Sequence, residues 1–229
     1  MSRKPQSHAP GGTSKRLIQD IVNNSPDILT REIRRKFGAA DSDTIEWLSP
    51  LTGDDYTEYS DKEFLDRLGV SLQGVPLSEF WPKGGPSWDA LGKSGSGQIY
   101  LVEARARVNE LKGSGLRATN QEVREKIEWA LAQTRQFLES RSKLNWTAEF
   151  YQYANRLAHL YLLRELNGLD AFLVCVYFTN NAMMNGPSSR DEWESAIMMI
   201  KQLLGIRQPH KLSAYIADVF IDVQDVVPS

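Results

Sequence analysis

Apolar positions along the chain fall into runs with helical or alternating spacing, parted by turn residues. Leu17, Ile18 and Ile21 recur at helical spacing from Ser14 and stop at Asn23-Asn24. Ser25-Pro26 reads as an N-cap followed by proline at the first helical position. Ile28, Leu29, Ile33 and Phe37 carry this second helix to Gly38. Residues 44–48 fit a short strand. Ser60 and Glu63 form a capping-box pattern ahead of Phe64, Leu65 and Leu68, which predicts a small helix.

The middle of the chain reads as a hairpin. Residues 88–92 form one strand, Ser94-Gly95-Ser96-Gly97 the turn, and residues 98–108 a longer strand with Ile99, Leu101 and Val102. Two strong helices follow. Thr119 and Glu122 make a capping box ahead of Val123, Ile127, Ala130, Leu131, Thr134 and Leu138. Thr147 is placed to cap the next, with Trp146 and Tyr151 as a hydrophobic staple, and Gly168 ends it. Residues 171–178 are apolar throughout, as in a strand covered on both faces. Ser189 and Glu192 cap a helix carrying Trp193, Ile197, Ile200 and Leu204, and residues 219–223 form a last strand. A hairpin followed by alternating strands and helices predicts an α/β fold, a central mixed sheet flanked by helices. Residues 1–13, rich in Pro, Gly and Ser, read as a disordered tail, and residues 14–229 as a single domain.

Composition narrows the field without deciding it. The chain has 229 residues, 41% hydrophobic and 24% charged, with a net charge of −2, so no global field advertises nucleic-acid binding. No apolar run is long enough to span a membrane, and the basic N-terminus lacks the apolar stretch of a secretory signal. The single cysteine, Cys175, lies in an apolar run and reads as a buried, inert thiol. Together these predict a reduced, cytoplasmic setting. His8, His159 and His210 have no metal-ligand spacing. Neither a Gly-rich nucleotide fingerprint nor a nucleophile elbow is present, which disfavours a metabolic enzyme.

One constellation has the look of chemistry. Asp89 and Glu103 lie on the two strands of the hairpin, and Glu103 and Arg105 share a strand face at i and i+2. Paired carboxylates repel one another and take up a hard divalent cation readily. Structural ion pairing of the acids with Arg105 or Arg107 is the competing reading.

The words WDALG, VEARARVNEL and YQYANRLAHLYLL, with Asp on one strand and Glu-x-Lys/Arg on the next, resemble the PD-(D/E)XK nuclease superfamily. They look like an uncharacterised bacterial branch in which the middle word usually reads EAKAH. The resemblance covers residues 80–223. It implies a restriction-endonuclease-like fold and a nuclease (phosphodiester hydrolase) acting on DNA or RNA. It further implies magnesium (Mg2+ or Mn2+) held by Asp89, Glu103 and the Ala104 carbonyl, with Arg105 in the place of the family's lysine. Arginine keeps the positive charge and can steady a phosphate, but it stays protonated and cannot act as a base. That departure implies slowed or lost hydrolysis. The alternative is a non-catalytic module binding nucleic acid or a protein on the same fold. Many proteins of the superfamily pair up, so a homodimer is also open.

Around the acid pair, Gln152, Asn155, Arg156 and Arg107 are candidates for phosphate contact, against the reading of a solvated face. Glu110 reads as a third acid or, preferably, a loop charge. Lys93, Lys112 and Lys126 are candidates to reach the site from elsewhere. Trp81 and Trp88 can stack on bases, though packing on the sheet is the stronger reading.

Overall fold

A computed structural model describes residues 9–38 and 43–226. Two helices lead, α1 (Ser14–Asn24) and α2 (Pro26–Phe37), and both end where the sequence predicts. Gly38 closes α2 in the left-handed region at φ 67°. Strand β1 (Ile45–Ser49) is followed by α3 (Asp61–Leu68), the short α4 (Leu77–Phe80), and the hairpin β2 (Ala90–Ser94) and β3 (Ile99–Arg105). After them come α5 (Gln121–Phe137), α6 (Tyr151–Arg164), β4 (Ala171–Thr179), α7 (Arg190–Leu203), β5 (Ile216–Asp222) and the single turn α8 (Val223–Val226).

The five strands form one mixed sheet in sequence order. β1, β2 and β3 make an antiparallel meander, and β4 and β5 run parallel to β3. The parallel steps need crossovers, which α5–α6 and α7 supply. α1 and α2 cover one face, where Leu17, Ile18, Ile21, Leu29 and Ile33 meet Val102, Val174 and Val219. On the other face Leu101 and Leu173 pack with Leu157 of α6, Trp193 of α7 and Trp146 from the segment between α5 and α6. All nine residues of β4 are buried, as its apolar run predicts. Among the described residues no helix is long and apolar enough to cross a membrane.

Several boundaries move, each for a local reason. β3 ends at Arg105 rather than Val108, because the Glu110 carboxylate accepts the Ala106 N–H at 2.8 Å and turns the chain into one turn of 3₁₀ helix. The N-cap of α5 is Asn120, whose side chain accepts from the Val123 N–H at 3.0 Å, not Thr119. Thr147 caps nothing: its hydroxyl donates to Asn145 at 2.7 Å, and α6 begins only at Tyr151. The Ser60 side chain makes no cap bond. Its neighbour Asp61 sits at φ 50° and accepts the Gly85 N–H at 2.8 Å, tying the start of α3 to the loop that leads to Asp89.

Of the expected tail, residues 1–8 lie outside the described residues; of residues 9–13, Pro10 and Gly11 are exposed. Ala9 is buried with its N–H on the Gln19 side chain at 3.2 Å, and the Gly12 carbonyl accepts from Asn181 at 2.6 Å. Thr13 then caps α1 through the Arg16 N–H at 3.2 Å.

Candidate functional site

β2 begins at Ala90, opposite Val102, three residues short of what would be needed to pair Arg105 at the end of β3. Asp89, just ahead of it, still donates its N–H to the Val102 carbonyl at 3.0 Å. Beyond that point Ala104 has no strand partner on the β2 side, and buried backbone groups must be satisfied by something else. Side chains do it. The Asp89 carboxylate accepts the Ala104 N–H at 2.7 Å, and Arg105 Nη1 donates to the Ala104 carbonyl at 2.7 Å.

Asp89 and Glu103 therefore do converge on one face, at the end of the hairpin. Both oxygens of Glu103 are engaged: Arg105 pairs with Oε1, and Arg156 from α6 donates to Oε2. Arg105 Nη1 also lies 3.8 Å from Asp89 Oδ2, its Nε donates to the Glu110 carbonyl at 3.1 Å, and its Nη2 donates to Gln152 at 2.9 Å. Arg156 reaches the Ser87 carbonyl at 2.9 Å and the Asn155 side chain at 3.0 Å, and lies 4.8 Å over the Trp88 ring. The cluster is largely out of water: side-chain exposure is 10% for Glu103 and for Arg156, and 15% for Arg105.

The environment acts on each charge. Burial pushes the Asp89 carboxyl up to about 7, and the charges of Glu103 and of buried Glu58 push in the same direction, against the pull of Arg105 and the Ala104 N–H. Burial opposes the Arg105 cation, yet the Glu103 and Asp89 carboxylates hold its pKa above the usual value. Glu58, paired with Lys15 at 2.8 Å, belongs to this cluster and was not foreseen from the sequence. No local spacing connects residue 58 to residue 89.

Asp89, Glu103 and the Ala104 carbonyl form the hard-oxygen donor set a divalent ion prefers. In the structure, though, Arg105 contacts all three, and Arg156 takes the second oxygen of Glu103. Two fixed cations against two carboxylates already balance the charge, so the residues as placed do not fit a metal ion. Beside the cluster, a cavity bounded by Glu103, Arg105, Gln152, Arg156, Cys175 and Tyr177 holds about 20 Å³, room for about one water, and is lined by neither Asp89 nor Ala104. Among the described residues no group of three His, Cys, Asp or Glu side chains is placed to hold a metal.

The remaining candidates are sorted by burial. Asn155 and Arg156 face inward, 6% and 8% exposed, and serve the acid cluster rather than a solvated or phosphate-facing surface. Gln152 is exposed but accepts from Arg105. Arg107 stays on the surface with 41% of its side chain exposed, paired to Glu110 at 3.2 Å. Glu110 is not a free loop charge: its carboxylate accepts from the Ala106 N–H and pairs with Arg107, beside Arg105. Lys93 donates to the Leu68 carbonyl at 2.9 Å and Lys126 to that of Ser78, so both are committed elsewhere.

Trp81 and Trp88 are buried around His159, which burial pushes down to about 4 and whose Nδ1 bonds the Asn155 carbonyl at 2.8 Å. They pack and do not offer rings to bases. Cys175 is buried beside Glu103 in register, and burial raises its thiol to about 12, in keeping with an inert residue. The chain matches no family model, no curated protein and no solved structure.

Proposed function

We propose that the chain is a nuclease-like domain of restriction-endonuclease-like fold whose acid site is closed by its own arginine, and that it binds nucleic-acid phosphodiesters without cutting them. The observation that carries this reading is the Arg105 guanidinium, which lies against Asp89, Glu103 and the Ala104 carbonyl together. The antiparallel meander, the helices after it and the parallel β4 support the fold, and the motif words around Asp89 and Glu103 support the class of ligand.

A second reading is a metal-dependent nuclease, favoured by the convergence of Asp89 and Glu103 on one face. In it, Mg2+ or Mn2+ enters only once Arg105 has withdrawn. Incubation of the protein and of Arg105→Lys with plasmid and single-stranded DNA in millimolar Mg2+ or Mn2+ separates the two. The first reading expects salt-dependent binding and no cleavage by the native chain. It also expects that lysine, with a shorter reach to Glu103, admits metal detectable by calorimetry. Cleavage by the native chain that Asp89→Ala abolishes would establish the second reading instead. No binding of DNA or RNA at low salt would remove nucleic acid from the proposal and leave a protein-binding module.

A further inference from the structure

A pocket of about 640 Å³ lies between α3, the segment that follows it and α4, and reaches α5 at Lys126. It shares no lining residue with the acid site. Its walls are aliphatic: Leu65 of α3, Val70 and Leu72 of the connecting segment and Leu77 of α4, with Trp81 behind them. These side chains belong to the core on that face of the sheet or pack against it, so the pocket is a recess in apolar surface that the fold does not fill. Its volume falls within the range of small-molecule sites, about 300–1,000 Å³.

The walls are held in place. Asn167, just beyond α6, accepts the Gly74 N–H at 2.9 Å and donates to the Val75 carbonyl at 3.0 Å. Position 74 has no room for a side chain, since a Cβ there would lie 2.1 Å from the Leu166 carbonyl oxygen. Lys126 donates to the Ser78 carbonyl and ties α4 to α5. Asp61 accepts the Gly84 and Gly85 N–H groups and anchors the chain that follows Lys83. The pocket is therefore preformed, as small-molecule sites usually are.

Charge and wall chemistry together define the ligand. Lys62, Lys83 and Lys126 border the pocket with Asp61 and Asp66. Lys62 and Asp66 pair with each other across one turn of α3 and cancel. Among the described residues neither Lys83 nor Lys126 pairs with a carboxylate, and together they outweigh Asp61 by one positive charge. The only uncharged hydrogen-bonding side chains in the lining are Ser71, Ser78 and Trp81. A nucleotide would leave most of its base edge unpaired against the aliphatic walls, which is costly, whereas a hydrocarbon chain has no such groups to satisfy.

We infer that this pocket binds a small amphiphilic anion, an acyl chain ending in a carboxylate, with the chain on Leu65, Leu72 and Leu77 and the carboxylate held by Lys83 and Lys126. The site is separate from the acid cluster, and the inference does not rest on the reading of that cluster.

Calorimetric titration of the full chain with decanoate tests this. Saturable binding with a dissociation constant below about 1 mM is expected. Hexanoate binds at least about tenfold weaker, because each methylene taken out of water contributes roughly fourfold. Decylammonium, the same chain with the opposite charge, also binds about tenfold weaker, as does AMP. Lys83→Glu weakens decanoate about fivefold and strengthens decylammonium, while Lys83→Arg stays near the native value. A fault in folding weakens both ligands, so only charge reversal at this site moves them in opposite directions. The proposal is overturned by the absence of saturable decanoate binding, by equal affinity for decanoate and decylammonium, by tighter binding of AMP, or by decanoate affinity that Lys83→Glu does not change.

Discussion

Asp89 and Arg105 close the two backbone groups of Ala104 from the same side, the carboxylate on its N–H and the guanidinium on its carbonyl, each at 2.7 Å. Where β2 runs out, these two side chains take the place of the next pair of ladder bonds. That structural duty explains why a cation stands among the acids. It also explains why the acids are occupied as the chain stands.

Glu103 and Arg156 form the pair most removed from water, and breaking such a pair leaves a buried charge uncompensated. Glu103→Gln is expected to cost about 3 kcal/mol in urea denaturation. Arg156→Met alone leaves Glu103 with Arg105, so it costs less. The double variant should fall short of the sum by about 2 kcal/mol, the coupling expected of buried charged neighbours. Strict additivity would show that the two side chains do not act as a pair.

Asp89 makes stability depend on pH in an unusual direction. Its folded carboxyl titrates near 7 against an ordinary value of 3.8, so between those limits the folded state holds more proton than the unfolded chain. The contribution is present at low pH and is lost as pH rises toward 7. His159, pushed down to about 4, acts oppositely: stability is lost as pH falls from 6.5 toward 4. Asp89→Asn removes the first effect alone. Its melting temperature, relative to that of the native chain, should therefore climb as pH goes from about 5 to 8. Parallel curves for the two proteins would show that Asp89 titrates in the ordinary carboxylate range.

The start of α5 gives a clean comparison of two adjacent residues. Only Asn120 bonds the first turn, so Asn120→Ala should cost about 1 kcal/mol, whereas Thr119→Ala should stay within about 0.5 kcal/mol. Thermal or urea denaturation of the two single variants decides it. The reverse ranking would restore Thr119 as the cap.

Much of the architecture was legible because periodicity reports burial. Leu17, Ile18 and Ile21 mark α1, and the apolar run from Ala171 marks a strand buried on both faces. The convergence of Asp89 and Glu103 was legible too, since alternation along a hairpin fixes which residues share a face. Caps were less so: Ser60 and Thr147 fit the pattern, but Asn145 and the Gly84-Gly85 loop drew the local bonds elsewhere. The arginine clamp was the hardest to read. It joins residues 103 and 156, which no periodicity relates, and Arg156 belongs to the site only because α6 packs on the sheet at β4, from where its side chain reaches Glu103. Polar side chains on a helix face look solvated in sequence until the neighbouring charge that buries them is known.

Arg107 is the one candidate phosphate contact from the sequence that keeps a cationic side chain at the surface near the acid site. A cation that meets phosphate displaces a condensed counterion, so its loss weakens binding alike on every sequence and flattens the salt dependence. Arg107→Ala should therefore weaken DNA or RNA binding uniformly and reduce the slope of log affinity against log salt by about 1. Arg156→Met should leave that slope unchanged, because Arg156 is spent on Glu103 and Ser87 inside the fold. Filter binding or fluorescence anisotropy across a salt series reads both. If Arg156→Met lowers the slope and Arg107→Ala does not, the buried arginine opens to nucleic acid, and the site is not held closed in the bound state.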